Sequence, residues 1–257
     1  MFRILKGKLS GVEGGEQASL SFEEFPHVAL SKTYCVDSIV ADSACSSTAY
    51  LGGVKGNYAT LGLSGAGRYK QCETQLETEN HVSTIMEWAQ AAGKATGVIT
   101  TNGITDASPA GSYAKVCPFY QTGQRQDDYP QRIFIGFELW ARCKDFCNHW
   151  LCVFCHYLYL YQVAYRGWYN DWEVADDGAD PDLCDDIAEQ LVRRDPGRNI
   201  TVLMGGGRED FYNETVEDVE NLGHFGHRTD GVDLIQEWSR DRVARGATYK
   251  YMTSGDF

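Results

Sequence analysis

The sequence predicts an α/β fold, a three-layer αβα arrangement around a central, mostly parallel sheet. Two parts of the chain run in the order helix, glycine turn, apolar strand and polar loop, which is the order expected of a doubly wound sheet. Residues 75–92 form the first predicted helix and precede a strand at 96–101, and residues 184–192 precede a second strand at 200–204. With 43% hydrophobic and 23% charged residues, the chain has an ordinary globular composition.

The remaining elements follow from local signals. Residues 25–34 predict a strand after a proline turn, and the small residues from Ser43 to Gly53 predict the start of a closely packed helix. Apolar residues within 75–92 recur at the helical period, and Gly93 is a stop signal. Ser108 followed by Pro109 predicts another helix start, with serine at the cap and proline at the first position.

The net charge of −13 argues against nucleic acid or an anionic membrane as the main partner, because such surfaces select lysine and arginine. The chain opens at Met1 without a secretory apolar region, and no apolar run reaches the roughly 18 residues that span a bilayer. We therefore expect no signal peptide and no membrane anchor within these residues.

Residues 116–162 differ in composition from both flanks. They hold two of the 27 glycines and are rich in aromatic residues. Five of the nine cysteines also lie there: Cys117, Cys143, Cys147, Cys152 and Cys155. The composition predicts a boundary at each end of this segment.

Outside that segment, several stretches in sequence order resemble the animal alkaline phosphatases. The stretch at 40–48 resembles the family's nucleophile signature, although Ser47 stands where glycine or alanine is usual. Because the motifs are independent and occur in the family's order, the resemblance is specific. The other matching stretches are residues 25–34, 49–55, 97–101, 106–110, 166–169, 204–208 and 229–234.

The resemblance implies a role for each site residue. Ser43 would be the nucleophile that becomes phosphoserine, and Arg166 would grip two phosphoryl oxygens with its planar guanidinium. Ser108 would be a magnesium ligand, with Asp106 in a supporting position near that ion. From spacing alone, Ser43 could instead be a helix N-cap, and so could Ser108.

The family's cofactors are two zinc ions and one magnesium ion, but most of the zinc ligands would lie before Arg3 or after Phe257. We therefore expect an incomplete fold and no activity from this polypeptide alone, although the complete enzyme would hydrolyse phosphate monoesters. The resemblance also implies a Cys72–Cys184 disulfide and a homodimer that is secreted or lipid-anchored at the cell surface. A non-catalytic, phosphate-binding homologue of the same fold is the alternative.

The same resemblance makes residues 1–115 and 163–257 parts of one domain, and 116–162 a non-homologous insertion. Removing the insertion restores the family's spacing between Ser108 and Arg166. Val116 must be encoded by GTN and Gln162 can be CAG, so a translated intron is one hypothesis. Cys152–His156 also matches the c-type haem pattern, and the neighbouring cysteines could form a zinc set, but neither has supporting context.

The remaining motifs predict ordinary structure. Residues 205–208 predict a tight turn, because they lack the ending of a phosphate-binding loop. His224 and His227 are expected to be solvated loop residues, and the acidic run 176–186 to be a solvated loop before a helix. Asn213 is a predicted glycosylation site, whereas the sequon at Asn199 would open a buried strand.

Overall fold

A computed structural model describes residues 2–11, 17–68, 71–116, 151–155 and 168–253. The chain divides into two compact units, Met1–Thr33 and Tyr34–Phe257. The first unit contains helix α1, Phe2–Leu9, and a 3₁₀ turn at Ser21–Glu24. No helix in the described ranges has both the length and the apolar character needed to cross a bilayer.

The second unit contains the sheet and the remaining described helices. Its strands are β1 (Thr96–Gly103), β2 (Leu151–Cys155) and β3 (Val202–Gly206). Its helices are α2 (Ser43–Gly52), α3 (Cys72–Leu76), α4 (Ile85–Ala91), α5 (Ala107–Ala110), α6 (Asp171–Asp176), α7 (Ile187–Arg193) and α8 (Leu234–Ala244). Short 3₁₀ turns occur at Thr78–Asn80, Gly197–Asn199 and Arg208–Phe211.

The three strands form a parallel sheet in the order β2-β1-β3, which confirms the predicted α/β class. The central strand β1 pairs through Gly97 with Cys152 on one side and Val202 on the other. Strand β2 lies within residues 116–162, so part of the segment that was predicted to be foreign to the fold pairs with its central strand. Because parallel strands end at the same edge, the loops after β1 and β3 come together there.

The core is built from the inner faces of α4, α5, α7 and β1. Fully buried side chains include Met86, Val98, Tyr113 and Ile187, each exposed by 2% or less. The tyrosine hydroxyl is satisfied inside this core because Tyr113 Oη donates to the carbonyl oxygen of Ile104 at 2.9 Å. This donation fixes α5 against the turn that follows β1.

The predicted strand at 25–34 is wrong for the described structure. Its residues belong to no strand, and Val28 and Leu30 are 90% and 103% exposed. The alternation of apolar residues specifies a strand only where a neighbouring strand supplies hydrogen bonds. None of the described strands pairs with this segment.

The helix predicted across 75–92 is also shorter than expected. The chain breaks into α3, a 3₁₀ turn and α4, because Asn80 Nδ2 donates to the carbonyl oxygen of Thr74 instead of continuing the helix. Thr84 then caps α4, and its hydroxyl donates to the carbonyl oxygen of Ser112 at 2.8 Å. The second predicted helix forms as α7 but begins three residues later than predicted, and β3 begins two residues later than the pattern indicated.

Among the described residues, two disulfides cross-link the second unit. The structure contains the Cys72–Cys184 disulfide that the resemblance implied, with Cα atoms 6.1 Å apart. It also contains a Cys35–Cys45 disulfide, with Cα atoms 5.8 Å apart, where a single bridge was expected. The second pairing carries no local sequence signal, because nothing in the spacing shows that the loop before α2 folds back on that helix.

A buried arginine ties three acidic segments together. Arg228 is 0% exposed and lies 2.9 Å from Asp186, 2.5 Å from Asp230 and 3.8 Å from Asp171. Although burial alone would lower the pKa of Arg228, the carboxylates of Asp186 and Asp230 raise it above its ordinary value. Asp186 is thus a buried ion-pair partner, which corrects its assignment to a solvated loop.

Replacing Arg228 with methionine should lower the free energy of unfolding by about 3–5 kcal/mol, because it leaves buried carboxylates without their cation. The matched control is Arg194→Met, since Arg194 pairs with Asp185 at the surface and such pairs contribute at most about 1 kcal/mol. Urea denaturation of both variants and the parent measures the difference. Equal, small losses in the free energy of unfolding of the two variants would contradict the assignment of Arg228 as a stabilising buried ion-pair partner.

Candidate active site

Helix α2 presents Ser43 at its first position. Asp42 is the N-cap, and its carboxylate accepts a hydrogen bond from the backbone N–H of Cys45 at 3.1 Å. Ser43 is therefore not the cap, which removes the alternative role that spacing alone allowed. Its half-buried side chain lies where the positive end of the helix dipole favours negative charge.

Helix α5 holds Ser108 just beyond the end of β1. Asp106 is the N-cap position of α5, so the predicted cap at Ser108 is wrong, and Ser108 lies within the first turn, 5% exposed. The carboxylate of Asp106 accepts a hydrogen bond from the backbone N–H of Gly103 at 3.0 Å. This bond folds the turn between β1 and α5 back on itself.

Helices α2 and α5 pack tightly at Ser47. The Ser47 hydroxyl contacts the carbonyl oxygens of Ala44, at 2.8 Å, and Ala107, at 3.0 Å. A Cβ atom added at Gly111 would lie 2.2 Å from Ser47 Oγ, so the two helices approach closely only because residue 111 is glycine. Ser47 is one turn after Ser43 and Ala107 precedes Ser108, so the two candidate residues flank the same contact.

Gly111→Ala should lower the free energy of unfolding by about 1–3 kcal/mol, because the added methyl group overlaps Ser47. Removing the obstruction with Ser47→Gly should make the same change at 111 less costly, even though glycine within a helix costs about 1 kcal/mol by itself. A double-mutant cycle measured by urea denaturation tests this coupling. Strictly additive losses in the free energy of unfolding would show that Gly111 and Ser47 are not energetically coupled.

Carboxylates gather beyond the ends of β1 and β3. The side chain of Asp210 accepts hydrogen bonds from Thr105 Oγ1 at 2.6 Å and from Asn170 Nδ2 at 2.9 Å. Burial, followed by the negative charges of Asp210 and Glu209, raises the pKa of Asp106 to about 6, against the opposing hydrogen bond from Tyr169. The site therefore has a negative potential and oxygen atoms that can act as metal ligands, and both suit a hard divalent cation.

His227 joins this cluster from the loop before α8. Its Nδ1 lies 3.6 Å from Asp210 Oδ1, and its backbone N–H donates to the carbonyl oxygen of Glu209 at 2.8 Å. The neighbouring carboxylate of Asp210 raises the pKa of His227 above its ordinary value. His227 is nevertheless an exposed loop residue, as the sequence predicted, with 46% of its side chain exposed, and His224 is exposed as well.

The raised pKa of His227 predicts a pH-dependent contribution to stability. A histidine with a raised folded-state pKa stabilises the protein fully below its unfolded pKa, and that contribution is lost as the pH rises through the folded value. His227→Gln should therefore lose most stability relative to the parent at about pH 6 and least at about pH 9. Urea denaturation across this range checks the trend, with His224→Gln as the matched control. A pH-independent difference would contradict it.

The described residues include some of the predicted site residues but not all of them. Ser43, Asp106 and Ser108 lie near the α2–α5 contact, whereas Arg166 lies outside the described residues. Tyr169, three residues after Arg166, reaches the carboxyl of Asp106. The sequence missed Asp42 as the cap, although its contact with Cys45 is local. It also missed Asp210 and Tyr169, because each reaches the site through contacts with distant segments. The one signal available was the position of Asp210 just after the Gly205–Gly207 turn.

Similarity to known proteins decides the family. The family model described as alkaline phosphatase matches residues 1–131 and 159–255. The chain belongs to the alkaline phosphatase family. The unmatched residues 132–158 lie inside the segment 116–162 that stood apart by composition, although the match also covers both ends of that segment.

Curated alkaline phosphatases of animals are similar over nearly the whole chain. The membrane-bound enzyme of Bombyx mori is 38% identical over 97% of this chain, and the enzyme of Gadus morhua is 37% identical over 92%. The tissue-nonspecific isozyme of Gallus gallus is 34% identical over 97%. The chain spans 36–39% of the length of these relatives.

Solved bacterial alkaline phosphatases align as well. The enzyme of the Antarctic bacterium TAB5, in a variant with magnesium bound in its M3 site, is 27% identical over 45% of this chain and 29% of its own, with a TM-score of 0.33. The enzyme of Thermus thermophilus is 16% identical over 96% of this chain and 46% of its own, with a TM-score of 0.35.

Proposed function

We propose that this chain carries the nucleophile of a metal-dependent alkaline phosphatase, which hydrolyses phosphate monoesters through a phosphoserine at Ser43. Family membership supports phosphate monoester hydrolysis in general. The observation that best supports the particular residues is the contact between Ser47 and Ala107, which has Ser43 and Ser108 on either side of it.

Ser43 would act by in-line displacement at phosphorus. Its Oγ forms a bond to phosphorus as the bond from phosphorus to the ester oxygen breaks, and the serine proton passes through solvent to that oxygen, which leaves as an alcohol. Water then attacks the phosphoserine, which returns the hydroxyl and releases inorganic phosphate. The N-terminus of α2 suits this chemistry, because backbone N–H groups and the helix dipole favour an anionic phosphoryl group there.

Arg166 would hold the phosphoryl group during both steps. A guanidinium offers paired N–H donors that match two phosphate oxygens. The hydrogen bond from Tyr169 to Asp106 supports this role, because it brings the chain three residues after Arg166 to the edge of the sheet where α5 begins.

Ser108 would bind magnesium, with Asp106 as a supporting residue nearby. Magnesium suits this place because oxygen atoms are available as ligands and because Asp106, Asp210 and Glu209 together contribute negative charge. When bound, the family's metal ions would favour deprotonation of the serine and stabilise the leaving oxygen. The chain's own residues would orient the phosphoryl group, keep Ser43 at the helix terminus and hold the anionic edge of the sheet.

The zinc ions would need ligands beyond those described. Within the described ranges, the one group of three potential metal ligands from His, Cys, Asp and Glu is Cys35, Asp42 and Cys45, and its cysteines form a disulfide. We therefore propose that the 257-residue polypeptide alone does not hydrolyse phosphate monoesters. An assay of the purified polypeptide with zinc and magnesium tests this, and zinc-dependent turnover would overturn it.

The role of Ser43 can be tested in a chimera. This chain would replace the matching segment of the membrane-bound enzyme of Bombyx mori, and hydrolysis of p-nitrophenyl phosphate would be measured. Ser43→Ala should lower kcat at least about 10³-fold, because removing a nucleophile removes the covalent route. The control Ser46→Ala alters a neighbouring helix residue and should leave turnover within a few-fold. An active Ser43→Ala chimera would contradict the assignment, and phosphate binding without turnover by the parent chimera would favour the non-catalytic alternative.

The same chimera tests the segment 116–162. We propose that these residues are an insertion that the active fold does not need, with residues 1–115 and 163–257 forming one domain. Joining Lys115 to Val163 should then give activity equal to or greater than that of the chimera with the segment. Loss of activity and stability on deletion would instead mean that pairing between β1 and β2 is required. Genomic sequence without GT and AG at the two edges would refute the translated-intron hypothesis.

The remaining proposals concern the complete protein, which we infer to be a glycosylated, lipid-anchored or secreted homodimer. At the Asn213 sequon, Thr215 Oγ1 donates to Asn213 Oδ1 at 2.6 Å, and Thr215 is exposed. Expression in a secretory host should give a glycan that Asn213→Gln removes, visible as a mass decrease. An unchanged mass would exclude glycosylation at this site.

A further inference from the structure

The Cys35–Cys45 disulfide lies directly against the side chain of Asp42. Cys35 and Cys45 are each 2% exposed and Asp42 is 6% exposed, so all three are buried together. Asp42 Oδ1 lies 3.8 Å from Cys35 Sγ, and the carbonyl oxygen of Asp42 lies 3.9 Å from Cys45 Sγ. The two sulfurs and a carboxylate oxygen all lie within 4.8 Å of one another.

These separations are close to those between ligands of one metal ion. Tetrahedral zinc has Zn–S distances of about 2.3 Å and Zn–O distances of about 2.1 Å, which put neighbouring sulfur and oxygen ligands about 3.6 Å apart. The spacing from Asp42 Oδ1 to Cys35 Sγ is 3.8 Å, close to that value. Once the disulfide is open, rotation about the Cα–Cβ bonds can separate the two sulfurs.

The electrostatics of Asp42 favour a cation in the same place. Burial raises the pKa of Asp42, while the backbone N–H groups of Cys45, Ala44 and Ala59 oppose that rise. A carboxylate oxygen that accepts an N–H group keeps lone pairs for a metal. A buried carboxylate is costly to desolvate, and a bound divalent cation would compensate its charge.

We propose that opening the Cys35–Cys45 disulfide creates a binding site for zinc or a similar divalent cation, with the thiolates of Cys35 and Cys45 and the carboxylate of Asp42 as ligands. Thiolate sulfur together with carboxylate oxygen suits zinc better than magnesium or calcium. This inference does not depend on the proposed phosphatase activity.

The chemistry balances with an external reductant. A phosphine gives up two electrons and takes the oxygen of a water molecule to become a phosphine oxide, while the two protons of that water make thiols of Cys35 and Cys45. Zinc then binds as the two thiol protons are released. The disulfide and the metal site are mutually exclusive, so the loop before α2 would be fixed to the helix that begins at Ser43 either covalently or by a metal ion.

Cobalt binding tests the site, since thiolate-to-cobalt charge transfer absorbs in the near ultraviolet. The full chain would be refolded with a phosphine reductant, titrated with Co²⁺ and then challenged with Zn²⁺. We expect a charge-transfer band that zinc abolishes and that is weaker in Cys35→Ser/Cys45→Ser. The matched control Cys72→Ser/Cys184→Ser removes the same number of thiols and should retain the full charge-transfer band. An identical band in the two double variants would overturn the proposal.

Two further measurements separate metal binding from misfolding. Asp42→Asn keeps a good helix cap and should weaken cobalt affinity at least about tenfold, since even partners outside the metal's ligand set contribute roughly 10- to 100-fold. In the unaltered chain, zinc should protect Cys35 and Cys45 from alkylation, as mapped by mass spectrometry, more than it protects Cys72 and Cys184. Unchanged affinity in Asp42→Asn, or equal protection of the two pairs, would contradict the site.

Discussion

The ion-pair cluster around Arg228 is the constraint on which this side of the fold depends. The guanidinium is completely buried, so each carboxylate that faces it must stay in place or leave a charge uncompensated. Asp171 opens α6 and Asp186 caps α7, while Asp230 belongs to the loop before α8. The starts of α6 and α7 and the approach to α8 therefore have their positions fixed by one side chain.

The geometry of the candidate site depends on the ion-pair cluster around Arg228 and on the sheet. Asn170, next to Asp171, reaches Asp210, and Asp210 in turn receives Thr105 from the turn after β1. Across the site, the approach of α2 to α5 depends on the absence of a side chain at Gly111. A phosphoryl-transfer site at this edge of the sheet would be positioned by backbone packing, with the anionic groups held by hydrogen bonds.

Local patterns predicted the parts of the fold that short segments determine. Strand β1 and helices α2 and α7 follow from apolar periodicity and helix signals, while the roles that the family motifs give to Ser43, Asp106 and Ser108 stay predictions. The patterns failed where a distant residue decides the outcome. The segment 25–34 has no described partner strand, the hydroxyl of Thr84 starts α4 late, and Asp186 is buried by pairing with Arg228 from far along the chain. Pairing between Cys35 and Cys45 likewise depends on tertiary folding.

The segment 25–34 before α2 has a consequence for the behaviour of the polypeptide in solution. Val28 and Leu30 are almost completely exposed on backbone that the described sheet does not pair. Neighbouring apolar side chains that are exposed to water favour association between molecules. Self-association should therefore rise with concentration, and a charged residue at position 28 or 30 would act as a gatekeeper against aggregation.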